Sequence, residues 1–335
     1  MKSLITGAPG WLGTSIAQAL VNGHPDIDVE TRAVRCLVQK GVDATVLREL
    51  GVEVVEGDIC DPSTLMNVAE GIDTVFHCAG LIHPKLKIEE LFQVNTRGTE
   101  NMITASAYAG VKRFIYVSSN SPAGCQRRRD QLMKESDRPR PYKAYGKSKY
   151  QAECIVNNFH DQGKIETVII RPCWFYGPNQ PARQSRFFTM IKKGNPLVFG
   201  DGNNLRSMSY VDNIVQGLIL AEKVEQANGQ LYWIADERAY PTIEIYQTIA
   251  ELLEVSEFKP RHIPGFSSTI AEINDTLIQA AGVYWTEMHV AGEMAKDIGC
   301  SIEKAKKELG YKPTVALREG MKRSIAWCRQ NGMEI

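Results

Sequence analysis

Tyr145 and Lys149 stand four residues apart in "AYGKSKYQAE" (144–153), at the start of a helical pattern. Residues i and i+4 share one helix face, so a phenol and an ammonium would be neighbours there. A free phenol, with a pKa of about 10, exchanges its proton too reluctantly at neutral pH, and a nearby cation lowers that value. The pair therefore predicts a tyrosine, tuned by Lys149, that passes a proton to or from a carbinol or carbonyl oxygen. The same spacing recurs in "YAGVK" (Tyr108 to Lys112), so context must choose between them. Tyr108 precedes Gly110 and the strand-like "VKRFIYVSS", and a helix ending there would separate it from Lys112. Tyr145 instead begins a long helical pattern. The strand upstream ends in "VSS", which puts Ser119 beyond a strand's carboxyl end, where parallel sheets bind ligands. Ser119 would hydrogen-bond and orient the same oxygen.

The elements that must position these residues are legible as apolar runs interleaved with helix-like segments. "SLIT" precedes "TSIAQALV", "AVRCLV" precedes "DATVLREL", and "VEVVEGD" precedes "PSTLMNVAE". "DTVFHCAG", "RFIYVSS" and "ETVIIRP" continue the series, separated by "NTRGTENMITASAYAG" and "YGKSKYQAECIVNNF". The alternation predicts an α/β fold, a doubly wound parallel sheet with helices on both faces. It loosens at "RPCWFYGPNQPARQ". We therefore place a dinucleotide-binding domain over 1–178 and a smaller, irregular substrate domain over 179–335. Within the latter, about 205–238 ("SYVDNIVQGLILAE", "GQLYWIAD") returns to the first domain. "STIAEINDTLIQAAG" and "IEKAKKELG" read as helices over the substrate side.

"SLITGAPGWLG" carries Gly7, Gly10 and Gly13 directly after a strand and before a helix that opens with Trp11 and Leu12. Glycines there allow a tight turn and let backbone N–H groups approach a pyrophosphate at the positive helix end. A carboxylate at the end of the second strand would grip a ribose 2'-hydroxyl and select NAD. Gln39 and Lys40 occupy that place, with Arg35 inside the strand, so NAD or NADP is expected, NADP slightly favoured. Alternatively, Lys40 and Arg35 are simply solvated. Asp58 of "GDICD" is placed at the adenine edge, and "FHCAG" supplies a loop of small residues. With a dinucleotide carrying hydride, the tuned phenol would complete alcohol–ketone interconversion.

Bulk properties restrict the partners. The 335 residues carry 39 basic and 39 acidic side chains, so no whole-chain field draws nucleic acid or an anionic membrane. A small-molecule substrate is expected. Eight scattered cysteines form no C-x-x-C and no zinc-spaced cluster, predicting no metal site and a reducing, cytoplasmic setting. Lys2 and the apolar stretch from Leu4 to Val21 have the look of a secretory signal, but three spaced glycines suit a turn instead.

With "TGAPGWLG", "GDICD", "FHCAG", "VNTRGTENM", "YVSS", "YGKSK" and "RPCWFYGP" in this order, the chain resembles the extended short-chain dehydrogenase/reductases. "VFGDGNNLRSMSYVDN" and "ELGYKPTVALREGMKRSIAW" look like signatures of the NAD-dependent epimerase/dehydratase and hydroxysteroid dehydrogenase-like groups. The resemblance implies a Rossmann-type fold and a catalytic trio of Ser119, Tyr145 and Lys149, with Lys149 also on the nicotinamide ribose. It assigns the phosphate turn to Gly7, Gly10 and Gly13, the adenine pocket to Asp58 and Ile59, and the cofactor-side loop to Ala79 and Gly80. Asn95 is the supporting asparagine, and the segment from Pro172 lies against the nicotinamide. Ser119, Asn120, Asn179 and Arg206 are the implied substrate contacts. Arg206 falls where nucleotide-sugar enzymes set an arginine on a diphosphate, or else braces a loop. Dehydratases of the group place an Asp-Glu pair just after the catalytic Ser or Thr; here those positions are Asn120 and Ser121, which disfavours 4,6-dehydration. "GCQRRRDQLMKESDRPRPY" is an atypically basic insertion, read as a solvated loop. The implied activity is hydride transfer at a secondary alcohol or ketone, of a nucleotide sugar or of a hydrophobic, hydroxysteroid-like molecule. The rival class is a non-catalytic NADP-sensing module. A homodimer through the helices carrying Tyr145 and following Asn95 is the family's implication.

Overall fold

A computed structural model describes all 335 residues. The first half alternates β1 (Lys2–Thr6), α1 (Trp11–Asn22), β2 (Ala33–Val38), α2 (Thr45–Glu49), β3 (Glu53–Glu56), β4 (Thr74–His77), α3 (Glu89–Leu91), α4 (Gly98–Tyr108), β5 (Arg113–Val117), α5 (Lys143–Asp161) and β6 (Glu166–Pro172). The second half holds β7 (Trp174–Tyr176), α6 (Ala182–Lys192), β8 (Leu197–Phe199), β9 (Leu205–Tyr210), α7 (Val211–Lys223), β10 (Gln230–Ile234), β11 (Ala239–Pro241), α8 (Thr242–Leu252), β12 (Arg261–Ile263), α9 (Phe266–Ala280), α10 (Thr286–Glu293), α11 (Glu303–Leu309) and α12 (Leu317–Gln330).

Seven strands form one sheet in the order β10-β6-β5-β4-β1-β2-β3, and every pairing in it is parallel. That is the Rossmann-type arrangement with an added edge strand. Apolar strands make it possible: every residue of β5 is buried, as are six of the seven of β6. Burial on both faces leaves one cluster of 57 buried residues and a second of 17.

The chain leaves this sheet after β6 and comes back. β7, β9 and β11 make a small separate sheet, so residues 205–210 of the segment expected to return belong to the second sheet. α7 and β10 do return. Arg113 fixes the helix: its Nη1 donates to the carbonyls of Ala221, Glu222 and Val224 at 2.7–3.0 Å, a cation on a helix C-terminus. α11 packs on β10 and α7 and not over the substrate side, correcting the sequence expectation. Its buried Ala305 and Leu309 complete the main core. α9 does reach the substrate side, pairing with α10 and touching the start of α5.

A buried ion pair clamps α5 to the sheet. Arg171 of β6 donates to both carboxylate oxygens of Glu153, at 2.8 and 2.5 Å, and each side chain is 3% exposed. Ser118 Oγ donates to the same carboxylate at 2.5 Å. Removing one member strands the other's charge in the interior. Glu153→Ala is therefore expected to lower unfolding free energy by about 3–5 kcal/mol in urea titrations. Glu100→Ala, which breaks an exposed pair with Arg97, should cost under about 0.5 kcal/mol.

Candidate active site

The glycine turn is closed by contacts no side chain could survive. Gly7 has φ +85°, and a Cβ there would lie 2.7 Å from the Ala79 nitrogen; one at Gly13 would lie 2.7 Å from the Ala8 nitrogen. The turn is thus pressed against the loop after β4, with the Gly10 N–H donating to Gly7 O at 2.9 Å. α1 then opens with no side-chain cap, so the first-turn N–H groups at Trp11 and Leu12 have no partner within the helix. Such a cradle fits a pyrophosphate. The Trp11 indole N–H donates to Pro178 O at 2.6 Å, tying the turn to the segment after β6.

At the end of β2, Gln39 and Lys40 are exposed. Gln39 Nε2 donates to Asp58 Oδ2 at 3.2 Å, while Asp58 Oδ1 accepts the Cys60 N–H at 2.8 Å. Arg35 is turned away: its guanidinium holds the Val68 and Glu70 carbonyls and pairs with Glu53. Ile59 is buried, and its carbonyl accepts from the Asn101 amide.

On the other side, α5 approaches the loop after β5. A Cβ on Gly146 would sit 2.6 Å from Ser121 O, and the Tyr142 N–H donates to that same carbonyl at 2.9 Å. The contact brings Tyr145 beside Ser119, whose hydroxyl is otherwise held only loosely, at 3.3–3.5 Å from Asn120 Oδ1, Ser121 Oγ and the Ser121 nitrogen. Burial pushes the Tyr145 phenol up; the Ser119 hydroxyl beside it opposes that shift, and Arg183 does so more weakly.

Lys149, expected to tune Tyr145, turns its ammonium onto the end of β5. The ammonium is buried, donates to Val117 O at 2.8 Å and lies 4.3 Å over the Tyr116 ring. Desolvation carries its own pKa down to about 7, with Glu153 and Cys78 resisting. Tyr145, Lys149 and Glu153 therefore run down one face of α5 as a phenol, a desolvated ammonium and a paired carboxylate.

Asn95 lies in a π-helical stretch (Phe92–Arg97), a geometry frequent at functional sites. Its amide accepts the Leu81 N–H at 2.7 Å and donates to Leu81 O and Ser148 Oγ, bracing the Ala79–Gly80 loop against α5. A Cβ at Gly80 would stand 3.3 Å from Asn95 Oδ1 and 3.7 Å from Lys149 Nζ, so the glycine keeps that space clear. Pro172 ends β6 beside Ile234. Asn179 is exposed with φ 63°, in a turn that follows Pro178. Arg206, on β9, is buried and faces Glu293: its Nη2 donates to the Glu293 carbonyl at 2.5 Å and Nη1 lies 3.4 Å from the carboxylate. The sequence reading missed the Glu153–Arg171 pair, although Glu153 continues the i, i+4 series from Tyr145. It also missed Asp275, Gln279 and His289, which only the tertiary fold brings to the start of α5.

Residues 4–264 match the family described as 3-beta hydroxysteroid dehydrogenase/isomerase. The chain belongs to that family. With it come the extended short-chain dehydrogenase/reductase superfamily and enzyme activity. The chain is 41% identical to uncharacterized protein y4nL of Sinorhizobium fredii, over 98% of this chain and 95% of that one. It is 26% identical to dTDP-D-glucose 4,6-dehydratase of Mus musculus, over 98% and 89%. The crystal structure of gox2253 superposes with a TM-score of 0.81 at 26% identity, covering 99% of both chains.

For such an enzyme the glycine turn, Asp58, Lys149 and the loop at Ala79 would hold the dinucleotide, which supplies a hydride donor or acceptor. In such an enzyme a substrate oxygen would sit between Ser119 and Tyr145, which would move its proton. The buried Lys149 makes one measurable demand on the fold. Between its folded value of about 7 and the ordinary 10.5, the unfolded chain binds one proton more, so stability rises with pH across that interval. The cost of burying the ammonium is complete below the lower value and gone above the upper. Lys149→Met removes it. The variant's melting temperature, relative to the unchanged chain, should accordingly be higher at about pH 6 than at about pH 9 by calorimetry.

Proposed function

We propose that this protein is an NAD(P)-dependent oxidoreductase that interconverts a secondary alcohol and a ketone on a nucleotide sugar, as an epimerase or reductase and not as a 4,6-dehydratase. The observation that carries the reading is the meeting of Tyr145 with Ser119 beyond β5, where Asn120 and Ser121 offer no carboxylate. A dehydratase needs a second acid and base to expel a hydroxyl, and an amide and an alcohol cannot serve. Tyr145 and Ser119 alone suffice for proton transfer at one oxygen. The names of relatives support a sugar nucleotide, and Arg206, whose partner Glu293 comes from α10 of the substrate region, offers a guanidinium for a diphosphate once that pair opens.

A hydrophobic ketone is the second reading. It is favoured by the grip of Glu293 on Arg206 and by the family's own description. A sensor without chemistry is disfavoured by the retained Tyr145.

The cofactor reading is NADP ahead of NAD, because Lys40 is exposed at the end of β2 and positions 39 and 40 carry no carboxylate, the nearby Asp58 being engaged by Gln39 and the Cys60 N–H. Gln39→Asp should shift the kcat/KM ratio toward NAD by at least about tenfold, since a charged hydrogen bond to the ribose is worth about 1.5–3 kcal/mol. A homodimer is proposed through the shallow groove between Phe92, Thr96 and Arg97 on one side and Tyr150, Cys154 and Ile155 on the other. A reducing compartment fits the eight free cysteines, and no helix is long and apolar enough to cross a membrane.

The deciding assay supplies NADPH and NADH, and their oxidised forms, with UDP-glucose, UDP-glucuronic acid, dTDP-glucose and a 3β-hydroxysteroid. Turnover of a sugar nucleotide supports the first reading and turnover of the steroid alone the second, while cofactor binding with no turnover favours the sensor. For whichever compound reacts, Tyr145→Phe should reduce kcat by about 10²–10⁴-fold. Undiminished turnover in that variant would remove Tyr145 from the mechanism.

A further inference from the structure

The helix that carries Tyr145 begins awkwardly. Lys143, its first residue, has φ 55°, in the left-handed region that disfavours a side chain, and Tyr142 provides no side-chain cap. The first-turn N–H groups have no partner inside the helix. Beyond the contact with Ser121 O, what holds this end comes from more than a hundred residues away. Gln279 Oε1, on α9, accepts the Ala144 N–H at 2.9 Å, and Lys143 Nζ donates to Glu272 O at 2.9 Å and to the Thr276 hydroxyl.

Gln279 is itself locked. Its Nε2 donates to both oxygens of Asp275, at 2.9 and 3.0 Å, and His289 Nδ1 of α10 meets Asp275 Oδ2 at 3.0 Å. All three side chains are buried: Asp275 at 0% exposure, Gln279 and His289 at 7% each. The His289 ring lies against Tyr142 and Tyr284, with centroids 5.6 and 5.4 Å away. Tyr284 in turn belongs to the same small apolar cluster as Ala144 and Tyr145. An amide whose carbonyl must accept and whose NH₂ must donate has one orientation here, fixed by Asp275.

We propose that Gln279, oriented by Asp275 and His289, is a positioning residue for Tyr145, capping the catalytic helix from the substrate region and completing, with the Ser121 contact, the placement of its first turn. The inference rests on Tyr145 being the proton-transfer residue. Misplacing a reacting group by about 1 Å costs on the order of 10²-fold in rate. Loss of the cap should therefore lower kcat while leaving the distant dinucleotide cradle as it is.

Three variants of the full-length enzyme test it, using the compound turned over in the panel above. Gln279→Leu should lower kcat about 10–100-fold with the cofactor KM within about twofold, and hydrogen–deuterium exchange should quicken at 143–146 but not at 150–161. Gln279→Glu should behave similarly, because it faces Asp275 with a second carboxylate. The pair D275N/Q279E restores every donor. The amide introduced at 275 can donate through its NH₂ to the carboxylate introduced at 279, and its oxygen can accept from His289, while that carboxylate can still accept the Ala144 N–H. The double variant should recover kcat to within about threefold of the unchanged enzyme. Unaltered kcat and exchange in Gln279→Leu, or a double variant no faster than Gln279→Glu, would overturn the proposal. Tyr145→Phe run alongside separates the two ideas: if it keeps full turnover the tyrosine assignment fails, and if it loses turnover while Gln279→Leu keeps the kcat of the unchanged enzyme, only the positioning role fails. Exchange at 143–146 reads the cap even where no substrate of the panel reacts.

Discussion

The site depends on one close approach, the first turn of α5 lying on the carbonyl of Ser121 with no side chain between them. Gly146 permits it, since any Cβ there would intrude to 2.6 Å. From that contact the rest follows in order. Tyr145 is brought to Ser119, and Lys149, one turn on, passes beneath the end of β5 and finds Val117 O. Glu153, another turn on, reaches the Arg171 guanidinium in the sheet. A helix held further out would leave a buried lysine and a buried glutamate without partners, each costly in an apolar interior. Packing and chemistry therefore enforce the same helix position.

The electrostatics give the three side chains of that face different tasks. Burial raises the Tyr145 phenol, so at neutral pH it is protonated, the form that donates. Desolvation pulls the Lys149 ammonium down to about 7, and Glu153 and Cys78 offset it only partly. A group in that condition responds strongly to any new hydrogen-bond acceptor or charge placed beside it, which an exposed lysine would not do. Glu153, saturated by Arg171 and Ser118, has no spare donor to gain and acts as the fixed end of the series.

Much of this was legible from residues close in sequence. The glycine turn, the alternation of strands and helices, and the choice of Tyr145 over Tyr108 rest on local spacing, and Tyr108 stands at the end of α4, 92% exposed. Composition showed that positions 120 and 121 lack carboxylates. What spacing could not supply was the environment of each group. An i, i+4 rule says that Tyr145 and Lys149 share a face, but not that Lys149 bends under the sheet onto a carbonyl. The helical period of "IEKAKKELG" was right, yet its apolar side packs against α7 and β10 and not the substrate region. Arg206 shows the same limit, because its partner Glu293 is 87 residues away.

α9 illustrates how a distant element can be recruited to a site. Its inward face is mainly polar, with Ser268, Asp275 and Gln279 buried beside Ala271, while Ile270, Ile273 and Leu277 are exposed. For a helix shaped only by the hydrophobic effect this is inverted. It is tolerable because each buried polar group is satisfied: Ser268 by the carbonyls of Ala291 and Gly292, and Asp275 by Gln279 and His289. Hydrogen bonding has thus decided which side of α9 faces inward. The buried face is specific in a way an apolar one is not, since a rotation or slip of the helix would strand several polar groups at once. The same specificity fixes where Gln279 meets the first turn of α5, so the helix is oriented by the polar network it shares with the site.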